Sequence, residues 1–253
     1  MPFEDVYLVT QRLNTATPEQ VASAEQTLGF KFPDGYFEFV TRFGEGDYST
    51  FVRVYMPSRI VDEHREFQDR WNEYFFWDDG RDIIRKQQVI ESFIIADTLQ
   101  GDELICHPTQ PNRLLVLPRY HATVFEAGNG LPAAIDWLCK SGELTARINF
   151  DYFESWQKRQ RLTFVGPGEL EAATKALEAL GIHDHLQRVT DEEDPFFEMY
   201  VSDFQGSVAL TADDTDVTAW LTHDSETNAN TLERAIACLE DLGLVRQPDT
   251  HEA

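Results

Sequence analysis

Residues 17–46 read TPEQVASAEQTLGFKFPDGYFEFVTRFGEG, and this stretch decides the fold. Thr17 is a good N-cap, Pro18 suits the first helical position, and Gln20 stands where a capping box takes Glu or Gln. Val21, Ala24 and Leu28 share one face at helical spacing, and Gly29 follows where helices commonly end in a left-handed residue. After Phe30-Lys31-Phe32, Pro33 opens a second helix with Asp34 in its first turn, near the positive end of the dipole. Tyr36, Phe39, Val40 and Phe43 form its apolar stripe and Gly44 ends it, while Gly35 inside it costs about 1 kcal/mol relative to Ala. The stretch therefore predicts two short helices joined at LGFKFP.

Beyond the hairpin, Phe51–Tyr55 alternates as a strand does. Ile60, His64, Phe67, Trp71, Tyr74 and Phe75 recur at helical spacing, with Ser58 as the expected cap. Val89–Ala96 reads as a buried strand, Leu99–Asp102 as a turn, and Glu103–His107 as the returning strand. Strands at 113–117 and 122–126 follow, then a helix from Pro132 to about Ser141. Phe150, Phe153 and Trp156 could line one face of a helical connector, beside the basic triplet Lys158, Arg159 and Arg161. From Leu162 the pattern restarts: strand, a helix over 169–180, strands near 186–189, 196–201, 207–210 and 217–222, and a last helix capped by Asn230 with Glu233. We read this as a small two-layer α/β domain.

Three ordered landmarks resemble the SMI1/KNR4 family of the SUKH superfamily. The first is the helix ending in Leu28-Gly29, then Phe32-Pro33, Tyr36 and Phe39-Val40, where Phe32 replaces the usual Leu and Gly44-Glu45-Gly46 replaces an Asn-Gly turn. The second is Phe93–Asp97 followed by Gly101-Asp102-Glu103. The third is Val124-Phe125-Glu126 leading into Ala133–Leu138. The resemblance implies an α+β fold in which a SUKH-like antiparallel sheet is flanked by helices, over residues 1–155. It does not extend to residues 156–253, which we take as the second domain, of unassigned role. Gly29, Pro33, Tyr36, Gly101 and Asp102 are expected to be structural, and no family catalytic residue exists to carry over.

Charge narrows the function. The 253 residues hold 45 acidic and 21 basic side chains, a net charge of −24. Nucleic-acid binding needs a cationic footprint, and an anionic membrane would repel this surface. A basic protein partner would be steered toward it. Cys106, Cys139 and Cys238 are few and widely spaced, without a zinc or disulfide framework. The leading segment MPFEDVYLVTQRL carries acids where a signal peptide needs positive charge, and the apolar runs are strand-sized, so a cytoplasmic location is expected.

Candidate chemistry is sparse. His183-Asp184-His185 offers two imidazoles and a carboxylate, but a surface loop is the better reading. Cys106 and His107, adjacent on a strand, point to opposite faces and cannot form a nucleophile–base pair. The acidic runs 191–194 and 213–216 lack a calcium-loop frame, and Gly166-Pro167-Gly168 lacks a phosphate-loop pattern. No cofactor or metal site is expected. The feature suited to a partner is Trp71-Asn72-Glu73-Tyr74-Phe75-Phe76-Trp77-Asp78-Asp79, aromatic and rimmed with acids. Its candidate contact residues are Trp71, Tyr74, Phe76, Trp77, Asp78 and Asp79.

These readings converge on a non-enzymatic protein-binding module. For bacterial members, the resemblance implies an immunity-type protein that neutralises a toxin, a basic nuclease or deaminase, by direct binding. The alternatives are a regulatory scaffold for an endogenous partner, as eukaryotic members imply, and a metal-dependent hydrolase using His183 or His185.

Overall fold

The computed structural model describes residues 3–77, 82–189, 195–213, 215–225 and 228–248. The chain divides into two compact units. One comprises Met1–Tyr7 and Arg12–Trp156, the other Leu8–Gln11 and Gln157–Ala253.

In the first unit, α1 spans Pro18–Leu28. The Thr17 backbone N–H donates to Gln20 Oε1 at 2.7 Å and Gln20 N–H donates to Thr17 Oγ1 at 3.3 Å, which is the predicted capping box. Gly29 ends the helix at φ 72°. The next helix, α2, spans Tyr36–Arg42 and starts later than Pro33 predicts, because Gly35 is its N-cap at φ 83° rather than an interior residue. Gly44 follows at φ 76°, where a Cβ would lie 1.9 Å from the Asn14 carbonyl oxygen, so no other residue fits this approach without moving the backbone.

An eight-stranded sheet carries the unit, in the order β1-β8-β2-β3-β4-β5-β6-β7. Its strands are β1 (Tyr7–Leu8), β2 (Gly46–Tyr48), β3 (Val52–Val54), β4 (Phe93–Thr98), β5 (Glu103–His107), β6 (Gln110–Leu117), β7 (Phe125–Asn129) and β8 (Tyr152–Ser155). The pairings from β2 through β7, and of β2 with β8, are antiparallel. Helix α3 (Pro57–Glu73) opens on Pro57 with Met56 as N-cap, so Ser58 does not cap it. Helix α5 (Leu131–Lys140) closes the unit.

Two further expectations change in this unit. Residues 89–92 are not strand: α4 spans Lys86–Ile90, where Arg85 N–H donates to Gln88 Oε1 at 3.0 Å, and the strand starts only at Phe93. The connector helix is instead β8. Phe153 is fully buried there and sits over Gly46, whose absent Cβ leaves it room. The pairing with β2 won over the helical spacing of Phe150, Phe153 and Trp156.

Aromatic stacking ties the family-like residues to the core. Tyr36 donates its hydroxyl to the Tyr55 carbonyl at 2.7 Å and stacks on Phe32 at 4.2 Å. Phe32 meets Phe30 edge-on, and Phe30 stacks on Phe93, which stacks on His64 of α3.

In the second unit, the sheet order is β10-β11-β12-β13-β9-β14. The strands are β9 (Gln160–Pro167), β10 (His185–Val189), β11 (Phe196–Val201), β12 (Gly206–Ala212), β13 (Asp216–His223) and β14 (Val245–Arg246). Helices α6 (Leu170–Ala179) and α7 (Ala229–Asp241) bury Ala173, Leu177, Ala235 and Leu239 in one core with Phe164, Met199 and Val208. The cap of α7 is Asn228, two residues before the expected Asn230, and β14 was not expected after it. Thr10 is buried here and donates its hydroxyl to Asp224.

Candidate functional site

Helix α3 positions the aromatic stretch. Its stripe ends on Trp71, which is 0 % exposed and donates its indole N–H to Glu103 Oε2 at 2.8 Å. The helix stops at Glu73, so Tyr74, Phe75, Phe76 and Trp77 follow in irregular chain where no helical period assigns a face. Trp77 turns inward, 3 % exposed, and donates to the Pro118 carbonyl at 2.8 Å. Tyr74 and Phe76 stay outside, 62 % and 47 % exposed. Asp78 and Asp79 lie outside the described residues.

A cleft of about 390 Å³ opens beside these rings, walled by Tyr74, Phe76, Trp77 and Leu117. Two arginines line it, Arg70 from α3 and Arg119 from the end of β6. Glu103, from β5, is the carboxylate of its lining. Both Glu103 oxygens are engaged, one by Trp71 and one by Arg70 Nη2 at 2.5 Å. Burial pushes the Glu103 carboxyl above its ordinary pKa, partly offset by Arg70 and Trp71. Leu99 and Tyr120, next to the lining residues Gly101 and Arg119, are exposed as well.

The turn between β4 and β5 fixes the cleft's floor. Gly101 holds φ 91°, and a Cβ there would come within 3.0 Å of the Arg119 side chain. Asp102 accepts from Thr98 Oγ1 at 2.7 Å through one oxygen and from the Arg119 backbone N–H at 2.9 Å through the other. These bonds set the position of Arg119. Helix α3 carries exposed Asp62, Glu66, Asp69 and Glu73 together with exposed Arg65 and Arg70.

Of the candidate contact residues, Tyr74, Phe76 and Trp77 line this cleft and Trp71 does not; the lining residues on the β4–β5 turn and after β6 were not among the candidates. The signal for the latter was Pro118-Arg119-Tyr120, an aromatic and a cation directly after an apolar strand.

Other candidates sit elsewhere. Cys106 is buried, and burial pushes its thiol far up. His107 bonds Thr109 and Glu91. His183 precedes β10 and His185 begins it; burial lowers the His185 pKa. Among the described residues no group of three or more His, Cys, Asp or Glu is placed to hold a metal ion. Asp213 accepts from the Thr215 and Asp216 backbone N–H groups, a solvated turn, while residues 191–194 lie outside the described residues. Arg159 of the basic triplet is not at an exposed helix end: burial lowers its pKa, against Asp224 and Glu198. Arg161 lies over the Trp220 ring. Among the described residues no helix is long and apolar enough to cross a membrane.

Residues 15–121, under half of the chain, match the SMI1 / KNR4 family (SUKH-1). All residues of the cleft fall inside that range. No curated protein and no solved structure matches the chain significantly.

Proposed function

With the SMI1/KNR4 (SUKH-1) domain of residues 15–121 as premise, we propose that the chain is a cytoplasmic immunity-type protein that neutralises a toxin by binding it, without turnover. The observation that carries this reading is the pair of exposed aromatic rings, Tyr74 and Phe76, that line one cleft of the matched region. Large exposed aromatics are what protein interfaces use as anchors, since they bury much area at little entropy cost. A net charge of −24 favours a basic partner, such as a nuclease whose phosphate-binding surface is cationic. Blockade is then steric and electrostatic. Residues 156–253 form, in this reading, a second domain that widens the acidic surface.

The test is co-expression of the chain with a toxin encoded at the same locus. Growth rescue together with a purified stoichiometric complex is expected. Absence of protection against every such toxin would contradict the reading.

A further inference from the structure

The cleft is apolar-walled yet locally cationic, on a chain that is otherwise strongly acidic. Arg70 is paired with Glu103, and each Glu103 oxygen already accepts a bond, one from Arg70 and one from Trp71. Arg119 differs. Its side chain makes one long hydrogen bond, Nη1 to the Gln100 carbonyl at 3.4 Å, and lies 5.4 Å from the Tyr120 ring centre. It is exposed and forms no ion pair among the described residues. Arg53 of the same sheet shows the contrast, with a two-pronged bond to Asp97 at 2.7 Å on each prong. Among the described residues, a lysine or arginine entering the cleft would meet two guanidinium groups and one carboxylate that Arg70 and Trp71 already engage.

We propose that the cleft seats a carboxylate side chain of the partner, neighboured by an apolar or aromatic residue, on Arg119 beside Tyr74 and Phe76. This deepens the protein-binding reading and rests on it. A planar guanidinium offers paired donors that match a carboxylate, and apolar walls strengthen such a bond by excluding water. The position of Arg119 is set in advance by its backbone bond to Asp102. On a chain of net charge −24, pairing with Arg119 gives a partner acid a favourable place that the overall charge does not. That fixes register and rejects partners lacking an acid at this place.

The probe is a displayed library of random dodecapeptides panned on the full chain. Enriched peptides are expected to join Asp or Glu to Phe, Tyr, Trp or Leu. Losing a charge-assisted bond weakens binding roughly tenfold or more, so synthetic versions should bind Arg119→Ala at least that much more weakly by fluorescence polarisation. A peptide with Glu replaced by Gln should lose as much on the wild type and little more on Arg119→Ala. The variant keeps its backbone bond to Asp102 and should melt with the wild type. Enrichment of basic peptides, no enrichment, or equal binding by Arg119→Ala would overturn the proposal. A parallel toxin-protection assay separates the two readings. Protection by the wild type with any of those results sinks the carboxylate anchor alone, whereas loss of protection in the wild type sinks the neutralisation reading.

Discussion

Two aromatic stretches of the first unit meet opposite fates. From Phe30 to Phe43, Phe30, Phe32, Tyr36, Phe39 and Phe43 are all buried, and Phe37 is the ring left outside. From Trp71 to Trp77 the rings divide, with Trp71 and Trp77 inside and Tyr74 and Phe76 outside. In the first stretch Tyr36 and Phe39 lie on α2 and face the core, while Phe30 and Phe32 lie in the link between α1 and α2 and are held by ring contacts with each other, with Tyr36 and with Phe93. In the second, α3 ends at Glu73 and the chain loses its period. Burial follows packing rather than position on an element: Trp77, past the end of α3, is anchored inside by the Pro118 carbonyl, and Tyr74 and Phe76 are left outside.

The comparison breaks most sharply on truncation. Trp71→Ala and Tyr36→Ala each remove a fully buried ring and its hydrogen bond, and should cost about 3–5 kcal/mol in chemical denaturation. A loss near that of a surface substitution would contradict the division. Next, Gly101→Ala forces a side chain onto φ 91° and against Arg119, so a cost of about 1 kcal/mol or more is expected. It should also disturb the cleft, which circular dichroism and peptide binding together would read.

A third effect concerns pH. His64 stacks on Phe93, and its Nδ1 is buried without a hydrogen-bond partner. Burial lowers its pKa from 6.5. As the pH falls below about 6.5, the unfolded chain binds the proton first, so the native state loses stability there and keeps it in full above that value. His64→Phe keeps the stack and should flatten this acid-side loss in melting temperatures measured across the window. The smallest effect belongs to Tyr74→Ala and Phe76→Ala, whose stability should stay within about 0.5 kcal/mol of the wild type.

Much of the fold was legible because its signals were local and stereochemical. Thr17 with Gln20, Gly29 after Leu28, and the apolar run Phe93–Asp97 act within a few residues of themselves. The strand at Tyr152–Ser155 was not legible, because its partner is Gly46–Tyr48, about a hundred residues away. Its aromatics fit a helical spacing by coincidence. The start of α2 was misplaced because Pro33 is a good opener, while the left-handed Gly35 sets the real boundary. Half of the cleft was legible as an aromatic run. Arg119 and Gly101 were not, because they lie on segments distant in sequence from Tyr74 and meet it only in the folded chain.

In the proposed reading Tyr74 and Phe76 face a protein partner, which calorimetric titration of the toxin encoded at the same locus into the wild type and into Tyr74→Ala/Phe76→Ala can decide. Interface hot spots cost about 2 kcal/mol or more on truncation, so the double variant should bind at least roughly 30-fold more weakly while melting at the wild-type temperature. Equal affinity in the two proteins would contradict the account.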